Sequence, residues 1–292
     1  SEHFTDDEVR NIVWRITSSP LMKIDYKEVP QDAHLAANQK EEARCGDNGI
    51  FKGVPANDEE KDLSNCIRRM YAFYPTDGKF IYDKASGHMG LPLGCAEIGA
   101  VLYGNLLNIN PAEPRWLNRD RFVLSKGHCC PALYAALAMK GFFPKEDLNT
   151  LRHLGSYLSG HPDMKNVPGV DMSTGSLGQG ISAAAGMALA GKRNGQDYRV
   201  FTILGDGECQ EGQVWEACML ASHYKLDNLV IIVDNNGLQI DGNIADVMSP
   251  YPIFDKLVAF GFHTIAIDGH DFDAIEKALN QAKKTKGQPT AI

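Results

Sequence analysis

Apolar runs that alternate with helical segments constrain the fold of this chain more than any other feature. Two strand patterns, Arg199–Leu204 and Leu229–Asp234, are separated by one helical pattern, Gln213–Tyr224. Continuous leucine and β-branched runs between helices are typical of strands that are buried on both faces of a parallel sheet. The sequence therefore predicts an α/β fold with a mostly parallel sheet and helices on both of its faces.

The alternation continues from residue 61 to residue 292, which we expect to form one domain. Apolar spacing predicts the remaining helices at Leu91–Leu106, Pro131–Lys140, Gln179–Lys192 and Ala274–Ala282, and the remaining strands at Arg121–Ser125, Thr264–Asp268 and Pro289–Ile292. Because Gln179–Lys192 is apolar on nearly every face, it is expected to be a buried helix. Residues 1–60 have one short helical pattern, Asp6–Ile16, and are interpreted as an N-terminal extension or peripheral arm.

Charge and cysteine content exclude several classes of protein. The formal net charge of -8 argues against a nucleic-acid or anionic-membrane binder, since both need a basic surface. No apolar run approaches the roughly 20 residues that span a bilayer. The 7 cysteines are odd in number and lack CxxC spacing, which disfavours a disulfide framework and a zinc site. We therefore expect reduced thiols and a cytoplasmic location.

Two polar turns follow the paired strand patterns. Gly205-Asp206-Gly207 comes directly after the first strand, and Asp234-Asn235-Asn236-Gly237 ends the second. Ligands bind beyond the carboxyl ends of parallel strands, so Asp206 and Asn236 are expected side by side. Their oxygens, with the main-chain carbonyl of Leu238, suit Mg²⁺ or Ca²⁺. Each turn alone is a common tight turn, but together, one helix apart, they predict a metal–diphosphate site.

Three histidines share one local pattern. His88, His128 and His161 each follow a glycine directly, at a loop or at the end of a strand pattern. A single histidine of this kind is more often structural or exposed than functional. Three of them favour a shared role, because imidazoles donate hydrogen bonds to phosphate and hydroxyl oxygens and change charge near neutral pH.

Six stretches in order resemble transketolases. They are SGHMGLPLG (Ser86–Gly94), DRFVLSKGH (Asp120–His128), GHPD (Gly160–Asp163), STGSLGQGISAAAGMALA (Ser173–Ala190), GDGECQEGQVWEA (Gly205–Ala217) and DNNGLQIDG (Asp234–Gly242). The resemblance runs from about Leu63 to Ile292, and SKGH with EGQVWEA is most similar to transketolases that are split over two polypeptides. It implies the diphosphate-binding domain of the thiamine-diphosphate-binding fold.

The resemblance also implies roles for individual residues. The implied metal ligands are Asp206, Asn236 and the carbonyl of Leu238, and the implied cofactor contacts are His128 and Gly207 at the diphosphate and Gly175 and Leu177 at the thiamine rings. His88 and His161 would face the substrate, and Glu211 would lie at a subunit interface, coupled to the activating glutamate of another domain. Met89 and Tyr157 depart from the family pattern, and both flank residues that the resemblance implies contact the substrate.

The implied reaction is transketolase activity, the transfer of a two-carbon ketol unit between sugar phosphates in the pentose phosphate pathway. It needs a pyrimidine-binding half, either a separate subunit or a missing part of the chain, in a homodimer or heterotetramer. Alternatives are another thiamine-diphosphate enzyme subunit, of 2-oxoacid dehydrogenase or deoxyxylulose-phosphate synthase type, and a non-catalytic binding subunit. The three histidine motifs favour transketolase over the first, and the intact metal ligands count against the second.

Overall fold

A five-stranded parallel sheet forms the centre of the protein. The computed structural model describes residues 94–239 and 242–292, so the predicted arm at 1–60 and the Asp6–Ile16 helix lie outside the described residues. The strand order is β1-β2-β3-β7-β6, and each neighbouring pair is parallel. The predicted parallel α/β fold is confirmed.

Helices and strands follow one another along the described residues. The strands are β1 (Arg121–Leu124), β2 (Val200–Gly205), β3 (Leu229–Asp234), β4 (Leu238–Gln239), β5 (Gly242–Asn243), β6 (His263–Thr264) and β7 (Thr290–Ala291). The α-helices are α1 (Ala96–Val101), α2 (Cys130–Met139), α3 (Gln179–Arg193), α4 (Gly212–His223), α5 (Ile244–Val247), α6 (Ile253–Ala259) and α7 (Phe272–Lys284). None of the helices in the described part is long and apolar enough to cross a bilayer.

Helices cover both faces of the sheet. In β2, Phe201 and Ile203 point to a core that includes side chains of α1, α2 and α7. Val200 and Leu204 point to a second core that includes side chains of α3, α4 and α6. Strand side chains alternate between faces, so a strand with both faces buried is mostly apolar along its length, with the buried Thr202 as the polar exception in β2. This explains the continuous apolar run that predicted β2.

Three predicted elements are shorter by two or more residues than the sequence suggested, and one of them is the strand expected at Pro289–Ile292, of which the structure has β7. The strand expected at Thr264–Asp268 is confined to β6, because its neighbour β7 pairs with it only at His263 and Thr264. Beyond Thr264 the Ile265 N–H still donates to the Ala291 carbonyl of β7 at 2.8 Å, and no strand pairing of the described residues continues past it. The helix expected at Leu91–Leu106 begins at Ala96 and changes after Val101 to a π-helical turn, Leu102–Leu106.

Helix α3 is buried on one side only, so the prediction of burial on nearly every face is wrong for the chain alone. Its inner residues are Gly180, Ile181, Ala184, Ala185, Ala188 and Gly191. Gly186 and Ala190 are exposed. Alanine and glycine occur on both sides of the helix, so their apolar character does not indicate which side faces the core.

Two glycines of α3 provide a matched test of this packing. A Cβ at Gly180 would lie 2.6 Å from the Cα and Oγ of Ser125, whereas a Cβ at Gly186 would meet nothing within 4 Å. We expect Gly180→Ala to destabilise the protein by about 1–3 kcal/mol through overpacking. Gly186→Ala should stabilise it by up to about 1 kcal/mol through helix propensity. Thermal unfolding of both variants measures this, and equal shifts of the two midpoints in one direction would contradict the packing.

Candidate cofactor and metal site

Asp206 occupies the turn directly after β2, and its carboxylate is held between two strand ends. Oδ1 accepts from the Gly207 N–H at 2.9 Å, and Oδ2 accepts from the Gly237 N–H at 2.7 Å. Asp206 is 1% exposed, and each of its carboxylate oxygens accepts from a main-chain N–H of one of the two turns. Burial raises the pKa of Asp206, although the hydrogen bonds from Gly237 and Gly207 oppose that shift.

The neighbouring turn places Gly237, the residue after Asn236, in contact with Asp206. Gly205 and Asp234 are paired in the β2–β3 ladder, and the Gly237 N–H bond to Asp206 joins the two turns beyond it. The Oδ1 of Asn236, an exposed side chain, accepts from the Leu238 N–H at 2.9 Å. A positive φ of 74° at Gly237 is the left-handed conformation that glycine adopts readily.

The donor set of these turns fits a hard divalent cation. A carboxylate has about four lone-pair sites, so the three hydrogen bonds to Asp206 leave its Oδ1 able to accept another partner. The amide oxygen of Asn236 keeps a second lone pair in the same way. Both oxygens, and the nearby Leu238 carbonyl, are of the type that Mg²⁺ and Ca²⁺ prefer.

Tyr251 is a contact that no sequence motif indicated. Its hydroxyl lies 3.2 Å from Oδ2 of Asp206 and 2.8 Å from Oδ1 of Asn235. Burial, followed by the charge of Asp206, raises the pKa of Tyr251 to about 12. The hydroxyl therefore keeps its proton at neutral pH and can donate that one proton to either Asp206 or Asn235, both of which lie in the strand-end turns.

A buried ion pair lies beside the site. The Lys126 ammonium contacts the Asp234 carboxylate, and the Lys126 side chain is fully buried. Burial alone would lower the pKa of Lys126, but the sulfurs of Cys95 and Cys129 and the carboxylate of Asp234 outweigh it and raise the pKa. A Cβ at Gly94 would lie only 2.8 Å from Oδ2 of Asp234, which accounts for glycine there. Asp234 is therefore a counter-ion for Lys126.

The loop before α3 packs against the loop after β1. The Thr174 hydroxyl donates to the Leu124 carbonyl at 2.6 Å. A Cβ at Gly127 would lie 2.7 Å from the Gly175 nitrogen, so these two backbones approach as closely as glycine allows. The half-buried His128 follows in the 3₁₀ turn Gly127–Cys129, which places it beside the loop that carries Gly175.

His161 adjoins the same loop. A Cβ at Gly175 would lie 3.0 Å from Cδ2 of His161. The backbone of His161 is held in place by a side chain of α2, because the Tyr134 hydroxyl donates to its carbonyl at 2.9 Å. Its side chain is exposed. The structure therefore groups His161, Gly175 and the loop of His128, while His88 lies outside the described residues.

Leu177 and Glu211 lie at the flank of this group. Leu177 is 36% exposed, and Glu211 is exposed directly before α4. Gly178 has φ +79°, and a Cβ there would lie 2.9 Å from the Cβ of Glu211. The end of the Gly175 loop therefore abuts Glu211, whose predicted role at a subunit interface stays a prediction.

Glu208 is the most connected site residue that the sequence interpretation missed. Its carboxylate accepts from the Ser125 hydroxyl, from the Gly178 N–H at 2.9 Å and from the Gly205 N–H at 3.2 Å. Glu208 is 2% exposed, and burial raises the pKa of its carboxyl group against the effect of these donors. An acidic residue one position after Gly-Asp-Gly was the only signal in the sequence.

Known proteins match most of this chain. A family model described as "Transketolase, thiamine diphosphate binding domain" matches residues 75–292. The 6-deoxy-6-sulfo-D-fructose transketolase subunit SqwG of Clostridium sp. (strain MSTE9) is 50% identical over 206 residues, 70% of this chain and 75% of that protein. An apulose-4-phosphate transketolase subunit of Phocaeicola vulgatus is 41% identical over 211 residues, 72% of this chain and 75% of that protein.

Larger transketolases match only in part of their length. Mouse transketolase is 48% identical over 209 residues, which are 71% of this chain and 33% of that protein. The crystal structure of transketolase from Campylobacter jejuni superposes with a TM-score of 0.74 and 37% identity, covering 82% of this chain and 37% of that one. The chain thus spans about a third of the larger transketolases and three quarters of the two subunits. These matches establish that the chain belongs to the transketolase family and contains its thiamine-diphosphate-binding domain.

Proposed function

We propose that this chain supplies the metal–diphosphate half of a transketolase site that transfers a two-carbon ketol unit between sugar phosphates. The observation that carries the proposal is the junction of the two strand-end turns, where the N–H of Gly237, the residue after Asn236, donates to Asp206. This junction offers oxygen ligands at the edge of a parallel sheet where cofactors bind. Family membership identifies the cofactor as thiamine diphosphate.

The residues present would hold the cofactor mainly through a metal ion. Asp206, Asn236 and the Leu238 carbonyl would bind Mg²⁺, with Ca²⁺ as the alternative, and the ion would neutralise diphosphate charge in an acidic protein. A Cβ at Gly207 would meet Ile244 only at 3.5 Å, so the turn is open enough to approach a phosphate. When bound, the cofactor supplies the nucleophilic carbon that takes up the ketol unit.

The histidines would divide between cofactor and substrate. His128, beside the Gly175 loop, would contact the diphosphate together with Gly207. The exposed ring of His161 would hydrogen-bond substrate oxygens, and its backbone is already positioned by Tyr134. His88 would act on the substrate in the same way. Gly175 and Leu177 would lie against the thiamine rings and leave room for the cofactor and the substrate.

A pyrimidine-binding transketolase half is the proposed partner, as a separate subunit or as a further part of the chain. The two subunit relatives support this, and their names refer to different sugars, so the substrate is proposed here only as a sugar phosphate. Exposed Glu211 and the exposed small residues of α3 support assembly as a homodimer or heterotetramer. Residues 1–60 would be an arm outside the cofactor domain.

The cysteines bear on the location of the protein, and the named relatives and the oxygen ligands bear on the two alternative functions. The five cysteines in the described residues are free and buried, which supports a cytoplasmic location. A different thiamine-diphosphate enzyme is disfavoured, since the matching relatives are named transketolases or transketolase subunits. A non-catalytic role is disfavoured because the oxygen ligands at Asp206 and Asn236 are intact and grouped.

Asp206→Ala tests the metal site. The substitution removes the only anionic ligand proposed, so Mg²⁺-dependent affinity for thiamine diphosphate should fall by more than the roughly 10- to 100-fold that losing an outer-shell partner costs. Calorimetric titration with and without Mg²⁺ measures this. Asp255→Ala, at an exposed position of α6, is the control and should bind as the unmodified chain does. Unchanged Mg²⁺-dependent binding by folded Asp206→Ala would rule out the assignment.

His161→Ala and His88→Ala test the substrate role. In a mixture of this chain and a transketolase pyrimidine-binding half, each should cut ketol transfer about 100- to 1,000-fold, because a donor to developing charge is lost. Cofactor affinity should change far less. His223→Ala, at an exposed position of α4, is the control. These 292 residues alone should be inactive, and full activity in both site variants would refute the substrate role.

A further inference from the structure

We propose that Glu208 is a positioning residue of the cofactor site, whose buried carboxylate sets the relative placement of the three segments that contact thiamine diphosphate. The inference rests on the proposed function. Glu208 follows Asp206 by two residues, yet it lies in the interior and is 2% exposed. Its side chain therefore acts on cofactor binding through other residues.

Each hydrogen bond to Glu208 comes from a different segment of the fold. Oε1 accepts from the hydroxyl of Ser125, directly after β1, and from the N–H of Gly178, directly before α3. Oε2 accepts from the N–H of Gly205, the last residue of β2. One carboxylate thus joins two strand ends and one helix start.

Those three segments carry the proposed cofactor contacts. Ser125 begins the loop that contains His128, and Gly205 begins the turn that contains Asp206. Gly178 ends the loop that contains Gly175. Displacing the carboxylate would change the spacing between the diphosphate contacts and the ring contacts, even with each of those residues intact.

The packing around the carboxylate leaves little room for compensation. A Cβ at Gly180 would lie 2.6 Å from Ser125, and one at Gly127 would lie 2.7 Å from Gly175. Close-packed groups of this kind transmit a shift to their neighbours. The two carboxylate oxygens have enough lone pairs to accept all three hydrogen bonds at once.

A merely structural carboxylate elsewhere in the chain serves as the matched comparison. The Asp171 side chain is only 7% exposed, accepts from the Phe122 N–H at 2.8 Å and pairs with Arg119 near the amino end of β1. Its loss should destabilise the fold without altering the cofactor site. Glu208→Gln is the conservative variant, because its amide keeps one acceptor oxygen but places a donor where a second acceptor was.

The experiment compares Glu208→Ala, Glu208→Gln and Asp171→Asn with the unmodified chain, in the presence of the pyrimidine-binding half. The unfolding temperature of each variant is measured first. The Mg²⁺-dependent affinity for thiamine diphosphate is then measured well below that temperature. Glu208→Ala should bind on the order of 10- to 100-fold more weakly, as for lost outer-shell partners of metal sites. Glu208→Gln should fall between Glu208→Ala and the unmodified chain. Asp171→Asn should unfold at lower temperature with unchanged affinity.

Two outcomes separate this inference from the function on which it rests. If the unmodified chain binds the cofactor and folded Glu208 variants bind equally well, the positioning role is overturned and the proposed function stands. If the unmodified chain fails to bind, the proposed function itself is overturned. Should Glu208→Ala not fold, the affinity of Glu208→Gln decides, since an unchanged value contradicts positioning.

Discussion

The buried ion pair between Lys126 and Asp234 is the interaction on which the arrangement of the site depends. It connects the segment after β1 to the end of β3, with β2 lying between those strands. Removing one partner of a buried pair leaves an uncompensated charge and typically costs about 3–5 kcal/mol. The absence of a side chain at Gly94 leaves room for the Asp234 carboxylate of this pair. The ends of three strands are thereby held in one register.

Three buried or nearly buried carboxylates lie at these strand ends, and each binds a different kind of partner. Asp234 neutralises Lys126, Glu208 gathers main-chain and hydroxyl donors, and Asp206 keeps an oxygen available for a cation. Each carboxylate has its own hydrogen-bond or ion-pair partners, so no two of them share a donor in these contacts. Groups held in this way lose little further freedom when a ligand binds, which favours a preformed half-site.

Local patterns were sufficient to predict the parallel sheet, the end of β3 and, to within one residue, the end of β2. That success has a physical cause, since strands buried on both faces leave continuous apolar runs and parallel strands end at one edge. The partners of Glu208 were not predictable, because Ser125 lies 83 residues away and Gly178 lies 30 away, with no pattern linking them. The exposed side of α3 was missed because alanine and glycine suit buried and exposed positions alike.

The central claim is that these 292 residues bind thiamine diphosphate without activating it, since the activating glutamate belongs to the pyrimidine-binding half. The most direct measurement is the exchange rate of the thiazolium C2 proton of thiamine diphosphate into deuterium oxide, by quenched-flow NMR with saturating Mg²⁺. The account predicts the rate of free cofactor with the chain alone, although the cofactor is bound, and a much faster rate once the pyrimidine-binding half is added. Fast exchange with the chain alone would contradict it.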